Sequence, residues 1–371
     1  MLLLIPGPVS TRPEVRAALN VDIAPWDNDT GPLYVSIRQR LCKIAGGTEG
    51  QHATLPLQGC GHFVIEAAIR TFIPAGGKIL IPTTGPYSDR MTRLAREAGR
   101  VPVPLAIDPL LPTPTQAVAK ALDADQSITH LGMVYSETGS GVVHDVPAIS
   151  RAVGALGRRV IVDAVSAFGA LPFDLSAHPE VDAITFTANK CLESLPGIAF
   201  AICPIERLLA SASNAGSWSF DLADIYDHLR RHEEGSARFT PPIQILNALN
   251  VALDVFEKEG GQPARLARYT ANVRTLYQGV RTLGLVPYLA ERAQGPIVVN
   301  IHAPADPAWN LQAFVDGLKR HGYLISNFYN TERPSFRVGC IGAVTPDDMR
   351  GFVAAVGAVL TELGIRGRQA A

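Results

Sequence analysis

The chain has 371 residues, with 33 Lys and Arg against 34 Asp and Glu, for a formal charge of −1. That balance excludes a dominant basic face for nucleic acid and an acidic tail. With 47% hydrophobic and only 18% charged residues, disorder is excluded too, and the apolar surplus favours an oligomer. The length predicts two domains, a large one and a smaller one.

The first apolar run, Met1–Ile5, is broken by Pro6-Gly7-Pro8 and is too short for a signal-peptide core. No later run is long enough to span a bilayer. Cys42, Cys60, Cys191, Cys203 and Cys340 are scattered, which predicts free thiols in a reducing, cytoplasmic compartment. The nine histidines form no HExxH pattern, so no metal site is expected.

From Ala53 onward, short apolar runs alternate with helical patterns. A strand is expected over Ala53–Leu57 and a helix over Gly61–Phe72. Next come strand Lys78–Pro82, helix Tyr87–Ala98, strand Val101–Leu105 and helix Pro114–Leu122. Strand His130–Tyr135, helix Val146–Leu156 and strand Arg159–Asp163 continue the rhythm, followed by strands Val181–Phe186 and Ile198–Ile202. This alternation predicts an α/β domain with a mostly parallel sheet between helices. After residue 204 the rhythm changes, with helices expected over Ser219–Glu234, Pro242–Lys258 and Pro263–Leu283. Strand Pro296–Ile301, helix Leu311–His321, strands Tyr323–Ser326 and Phe336–Val338, and helix Pro346–Leu363 then suggest a small α+β domain.

In such sheets, ligands bind beyond the carboxyl ends of the strands. Five features fall there. Gly59-Cys60-Gly61-His62 is a strand-to-helix turn suited to a phosphate. Tyr87 can stack on a flat ring. Ser136-Glu137-Thr138-Gly139-Ser140 offers hydroxyls. Asp163 can pair with a cationic ring nitrogen. Lys190, after Thr187-Ala188-Asn189, is a Schiff-base candidate because desolvation lowers a lysine pKa. Each alone has a plain structural reading: a tight turn, core packing, a capping loop, an N-cap or a surface lysine. Their order supplies every group that pyridoxal phosphate needs.

On these residues the chain resembles the fold-type I pyridoxal-phosphate aminotransferases of class V. Within them it is similar to the 2-aminoethylphosphonate–pyruvate transaminases. The matching segments are Ile5-Pro6-Gly7-Pro8-Val9, Trp26-Asp27-Asn28-Asp29, Gln58-Gly59-Cys60-Gly61, Ser136-Glu137-Thr138, Ile161–Gly169, Ala188-Asn189-Lys190-Cys191, Pro196-Gly197, Arg238-Phe239-Thr240 and Phe336–Gly342. The resemblance implies a seven-stranded sheet in a large cofactor-binding domain over 21–260, with a small domain over 261–371. Segment 1–20 would pack on the small domain. It implies pyridoxal 5'-phosphate bound covalently to Lys190, with Asp163 on the ring nitrogen and Tyr87 on the ring face. Gly59, Cys60, Gly61 and His62 would line the phosphate turn, with Asn189 beside the lysine. Thr138 would approach the ring hydroxyl, and Thr240 would reach the phosphate from the neighbouring subunit of a homodimer. Arg337 would bind the acid group of the amine donor and of the keto acid. A serine– or alanine–glyoxylate transaminase, or a pyridoxal-phosphate lyase of an aminophosphonate, would keep the same core.

The chain departs from that family at three places. Cys60 and His62 replace a serine-rich turn, and Gly139-Ser140 replaces threonines. Ser326-Asn327-Phe328-Tyr329-Asn330 stands where a Tyr-Pro-Gly-Lys stretch is usual, and it brings no lysine.

Overall fold

The structure is a computed structural model, and it describes residues 1–232 and 236–366. The chain opens with strand β1 (Leu2–Leu3), then helices α1 (Pro13–Ala17) and α2 (Thr30–Ile44). The α/β run comes next: β2 (His52–Gly59), α3 (Gly61–Phe72), β3 (Lys78–Pro82), α4 (Pro86–Glu97), β4 (Val101–Leu105), α5 (Thr115–Ala124), β5 (Ile128–Val134), α6 (Val146–Ala155), β6 (Arg159–Asp163), β7 (Val181–Thr187) and β8 (Gly197–Pro204). Helices α7 (Ile205–Ala210), α8 (Leu222–Arg231), α9 (Ile243–Glu259) and α10 (Gly261–Thr282) lead to β9 (Val298–His302), α11 (Leu311–Arg320), β10 (Tyr323–Leu324), β11 (Ser335–Gly339) and α12 (Pro346–Glu362).

The central sheet has seven strands in the order β2-β8-β7-β6-β5-β3-β4. Only β8 runs against its neighbours; the other six share one direction. Strands covered by helices on both faces bury both sets of alternating side chains, and β6, with Val160-Ile161-Val162 at its centre, and β7 do so. All seven residues of β7 are buried, including Asp182. That carboxylate is tolerated because Arg159 and Arg207 reach it, each at 2.8 Å through Nε, and His130 at 3.2 Å.

One apolar core joins this sheet to α2, α3, α6 and α9. A second gathers Val273, Leu276, Val299, Phe314, Phe336, Phe352 and Leu4. Leu4 comes directly after β1, which pairs in parallel with β10. The N-terminal segment is therefore pinned beside β11, whose Gly339 N–H donates to Leu4 O at 2.8 Å.

Most expected elements form within a few residues of their predicted ends, and the differences have local causes. The helix expected over Ser219–Glu234 begins at Leu222, because Asp221 caps it by accepting from the Ala223 and Asp224 N–H groups. Its predicted end, Glu233 and Glu234, lies outside the described residues. The strand expected over Tyr323–Ser326 stops at Leu324, where the two-residue partner β1 ends. The strand expected at Pro296 starts at Val298, the residue paired with the last residue of β11. Among the described residues, no helix is long and apolar enough to cross a membrane.

Candidate active site

Six strands point their carboxyl ends to one edge of the sheet, and the polar residues beyond them gather there. The β2–α3 turn contributes Cys60, Gly61 and His62; the start of α4 contributes Tyr87. β6 ends on Asp163, and the loop after β7 carries Asn189 and Lys190. All seven residues line one cavity of about 160 Å³. Gly59, the last residue of β2, stands just outside it.

Lys190 is buried, and its Nζ donates to the Pro6 carbonyl at 2.7 Å. Burial lowers its pKa to about 8, and the charge of Arg337 adds to the effect. Asp163 is buried with one oxygen accepting from the Val165 N–H at 2.9 Å. Burial raises its carboxyl to about 6. Helix α3 begins at Gly61, and its N-cap Cys60 gives no side-chain cap, leaving the first turn open to an anion. Gly61 also keeps that turn close to the sheet, since a Cβ there would lie 2.8 Å from Val165 Cγ2. His62 Nδ1 is 3.8 Å from Cys60 Sγ, and burial, with the Arg90 charge second, lowers the imidazole pKa.

A second cavity, of about 450 Å³, shares Tyr87 and Lys190 with the first. It runs past Pro6, Gly7, Ser326 and Phe328 to Arg337 on β11. Arg337 is buried and donates from Nη1 to Thr138 O at 3.0 Å and from Nη2 to Ser326 Oγ at 3.2 Å. Thr138 is therefore present through its carbonyl, while its hydroxyl lies 2.6 Å from Ser166 Oγ. Thr240 is exposed and lines neither cavity; its carbonyl accepts from Gln58 Nε2.

Three cavity or near-cavity groups escape the sequence reading. Arg90 sits one turn beyond Tyr87 on α4, with its guanidinium 4.9 Å from that ring, and it lines the first cavity. Its i, i+3 spacing from Tyr87 is the available signal. Thr187 Oγ1 lines the same cavity, buried and without a hydrogen-bond partner among the described residues. Glu137 is buried, accepts from Gly139 N at 2.9 Å and Thr84 Oγ1 at 3.2 Å, and is raised by burial to about 7. By sequence, the loop that carries it stands out for its hydroxyls only.

The residues present fit pyridoxal phosphate. An orphaned buried hydroxyl, an open helix turn, a buried carboxyl and a buried amine converge on one slot beside an aromatic ring.

Fold and site together define an aminotransferase of fold type I. The class-V aminotransferase family model matches residues 33–311, and the chain belongs to that family. The family uses pyridoxal phosphate. The 2-aminoethylphosphonate–pyruvate transaminase 1 of Cupriavidus pinatubonensis is 39% identical over 98% of this chain and 95% of its own. The 2-aminoethylphosphonate–pyruvate transaminase of Pseudomonas aeruginosa is 40% identical over 98% of this chain and 97% of its own. Among solved structures, the pyridoxamine–pyruvate aminotransferase of Mesorhizobium loti superposes with a TM-score of 0.89 at 24% identity, covering 99% of this chain and 93% of that one. An aspartate aminotransferase of Thermus thermophilus gives 0.85 at 24%, over 98% of this chain and 100% of that one. At that identity the structural likeness speaks for the fold alone.

Proposed function

We propose that the protein transfers the amino group of 2-aminoethylphosphonate to pyruvate, giving phosphonoacetaldehyde and alanine. The observation that carries the reading is the shared wall of the two cavities: Lys190 and Tyr87 face both the cofactor slot and the pocket that leads to Arg337. Relatives of about 40% identity named for that activity support the choice of donor and acceptor.

When bound, pyridoxal phosphate supplies an aldehyde that accepts an amine and a ring that draws electrons from the carbon beside it. Lys190 Nζ is the attachment point, and it is the group placed to take a proton from the donor's nitrogen-bearing carbon. Burial favours its neutral form, which is the form that accepts a proton. Asp163 would hold a proton on the ring nitrogen, Tyr87 would cover the ring face, and Asn189 flanks the lysine. The open turn at Gly59, Cys60, Gly61 and His62 takes the phosphate, largely through backbone N–H groups. Arg337 receives the phosphonate of the donor and then the carboxylate of pyruvate, each through its planar fork. One receptor for both anions makes the two half-reactions alternate in a single pocket.

The working unit is a homodimer in which Thr240 of each chain serves the neighbour's phosphate site. Thr240's exposure and its absence from the lining of both cavities of its own chain support that, as do exposed Trp26, Trp218 and Phe239. The division into a large domain over 21–260 and a small one over 261–371 is supported by the two larger apolar cores. Of segment 1–20, Leu2 and Leu4 pack on the small domain, whereas Val15, Ala18 and Leu19 pack against Ala248 and Ala252 of α9 in the large one. Reduced cysteines suit a cytoplasmic setting.

A panel of amine donors with pyruvate, read as alanine formed, tests the reading. 2-Aminoethylphosphonate is expected to be the preferred donor. Preference for serine or alanine with glyoxylate would move the assignment, and ammonia release without a keto acid would make the protein a lyase.

A further inference from the structure

The fork of Arg337 already has an occupant. With its amide oxygen toward the guanidinium, Asn330 accepts from Nη1 at 2.7 Å and from Nη2 at 2.9 Å. The opposite orientation would set amide protons against guanidinium protons, which have no acceptor to offer. Thr138 O and Ser326 Oγ take other hydrogens of the same two nitrogens, at 3.0 and 3.2 Å. Asn330 therefore holds the paired position that a carboxylate or phosphonate needs.

Asn330 belongs to the connection between β10 and β11, where the chain departs from its family. Neighbours in that connection close over the same group. Phe328 is 53% exposed, yet its ring centroid lies 5.4 Å from the guanidinium carbon. The strap is fastened on both sides of Asn330. Asn327 Nδ2 donates to Gln312 Oε1 at 3.2 Å, Trp309 Nε1 donates to Tyr329 OH at 3.2 Å, and Thr331 Oγ1 donates to Arg333 O at 2.8 Å. Gln312, Asn327, Phe328 and Arg337 all line the pocket in front of Lys190.

We propose that Asn330 is a specificity-determining residue: its carboxamide competes for the fork of Arg337, and each substrate must displace it with its own acid group. This rests on the reading of Arg337 as the receptor for both acids. A neutral amide oxygen is a weaker acceptor than an ionised one, so the competition is winnable. A dianionic phosphonate displaces it more readily than a singly charged carboxylate. The strap therefore biases the pocket toward phosphonate donors and against α-amino carboxylates. It lowers apparent affinity by the fraction of molecules in which the fork is covered.

The test uses the holoenzyme and two variants, Asn330→Ala and Asn330→Asp. Steady-state kinetics give KM and kcat for 2-aminoethylphosphonate and pyruvate, and calorimetry gives binding constants for methylphosphonate and acetate. In Asn330→Ala, KM for pyruvate and the acetate dissociation constant fall by roughly 3- to 10-fold, the worth of one ordinary hydrogen-bonded pair, with kcat kept. The gain for the phosphonates is smaller. In Asn330→Asp, an internal ion pair fills the fork and both KM values rise at least about 10-fold. An Asn330→Ala enzyme that binds acetate no better than wild type, or worse, overturns the proposal, as does an Asn330→Asp enzyme with unchanged KM. If wild type fails to turn over the phosphonate at all, the functional reading fails, and the methylphosphonate and acetate constants still decide the role of Asn330.

Discussion

Lys190 Nζ donates to the Pro6 carbonyl at 2.7 Å, across 184 positions of sequence. The amine on the β7–β8 loop is thus held by the N-terminal segment, which β1 fastens beside β10. The contact places the lysine at the junction of the two cavities and desolvates it.

On the proposed attachment to Lys190, uptake of the cofactor by the cofactor-free protein depends on this amine. Only the neutral amine attacks an aldehyde, and burial brings the Lys190 pKa down to about 8 from 10.5. The rate at which the apoprotein turns yellow with pyridoxal phosphate is expected to rise with pH and level off above about 8. A rise that continues toward 10 would mean that the amine is solvated.

Gly7 backs the same side chain. A Cβ there would lie 2.5 Å from Lys190 Cδ and 2.8 Å from Nζ, and its φ of +140° already disfavours a side chain. Gly7→Ala is expected to displace Lys190 and slow cofactor uptake by about 10-fold or more, from a contact loss of at least ~1.4 kcal/mol. Rapid-mixing absorbance measurements on the apoprotein check it.

Asp163 is costly to the cofactor-free fold. Burial raises its carboxyl to about 6 from 3.8, so the native chain binds that proton more tightly than the unfolded one. Its penalty is absent below the unfolded value and complete above the folded one. At neutral pH, cofactor-free Asp163→Asn is expected to be more stable than wild type by about 1–3 kcal/mol in urea. Adding cofactor should reverse the order, because only the carboxylate holds a protonated ring nitrogen.

Asp182 behaves in the opposite sense. Burial alone would raise its carboxyl, but hydrogen bonds from His130, Arg207 and Arg159 hold it well below the usual carboxylate range. That stabilisation is present above the unfolded value and is lost only in strong acid. Asp182→Ala leaves two arginines without their partner and is expected to cost about 2–4 kcal/mol, discounted for their partial exposure. Equilibrium unfolding at neutral pH measures it. Asp182 lies near the amino end of β7, remote from Lys190 on the loop beyond its carboxyl end, so kcat of the folded variant should be unchanged.

Much of this was legible in the residues. The runs at Lys78–Pro82, Val101–Leu105 and Arg159–Asp163 are strands end to end: the first and third are buried with apolar centres, and the second is the half-exposed edge strand, where Val101 and Val103 alternate with prolines that an edge tolerates. Asp163 and Lys190 could be placed at one edge of the sheet, because parallel strands deliver their carboxyl-terminal loops to the same side, and both line one cavity there. Contacts between distant segments were not legible. Nothing in Pro6 announces an acceptor for Lys190, since a carbonyl has no sequence signature. Asn330 reads as a loop residue until β11 brings Arg337 under it. The reversed direction of β8 was equally hidden, because an antiparallel strand buried on both faces has the same apolar run as a parallel one.

The central claim is a covalent bond between Lys190 and pyridoxal phosphate in the slot that Asp163 closes. Borohydride reduction of the holoenzyme and peptide mass mapping test it most directly. The account predicts one pyridoxyl mass per chain, on the peptide containing Lys190, and none when the holoenzyme is first treated with 2-aminoethylphosphonate. A label on another lysine, or an unlabelled protein, would contradict it.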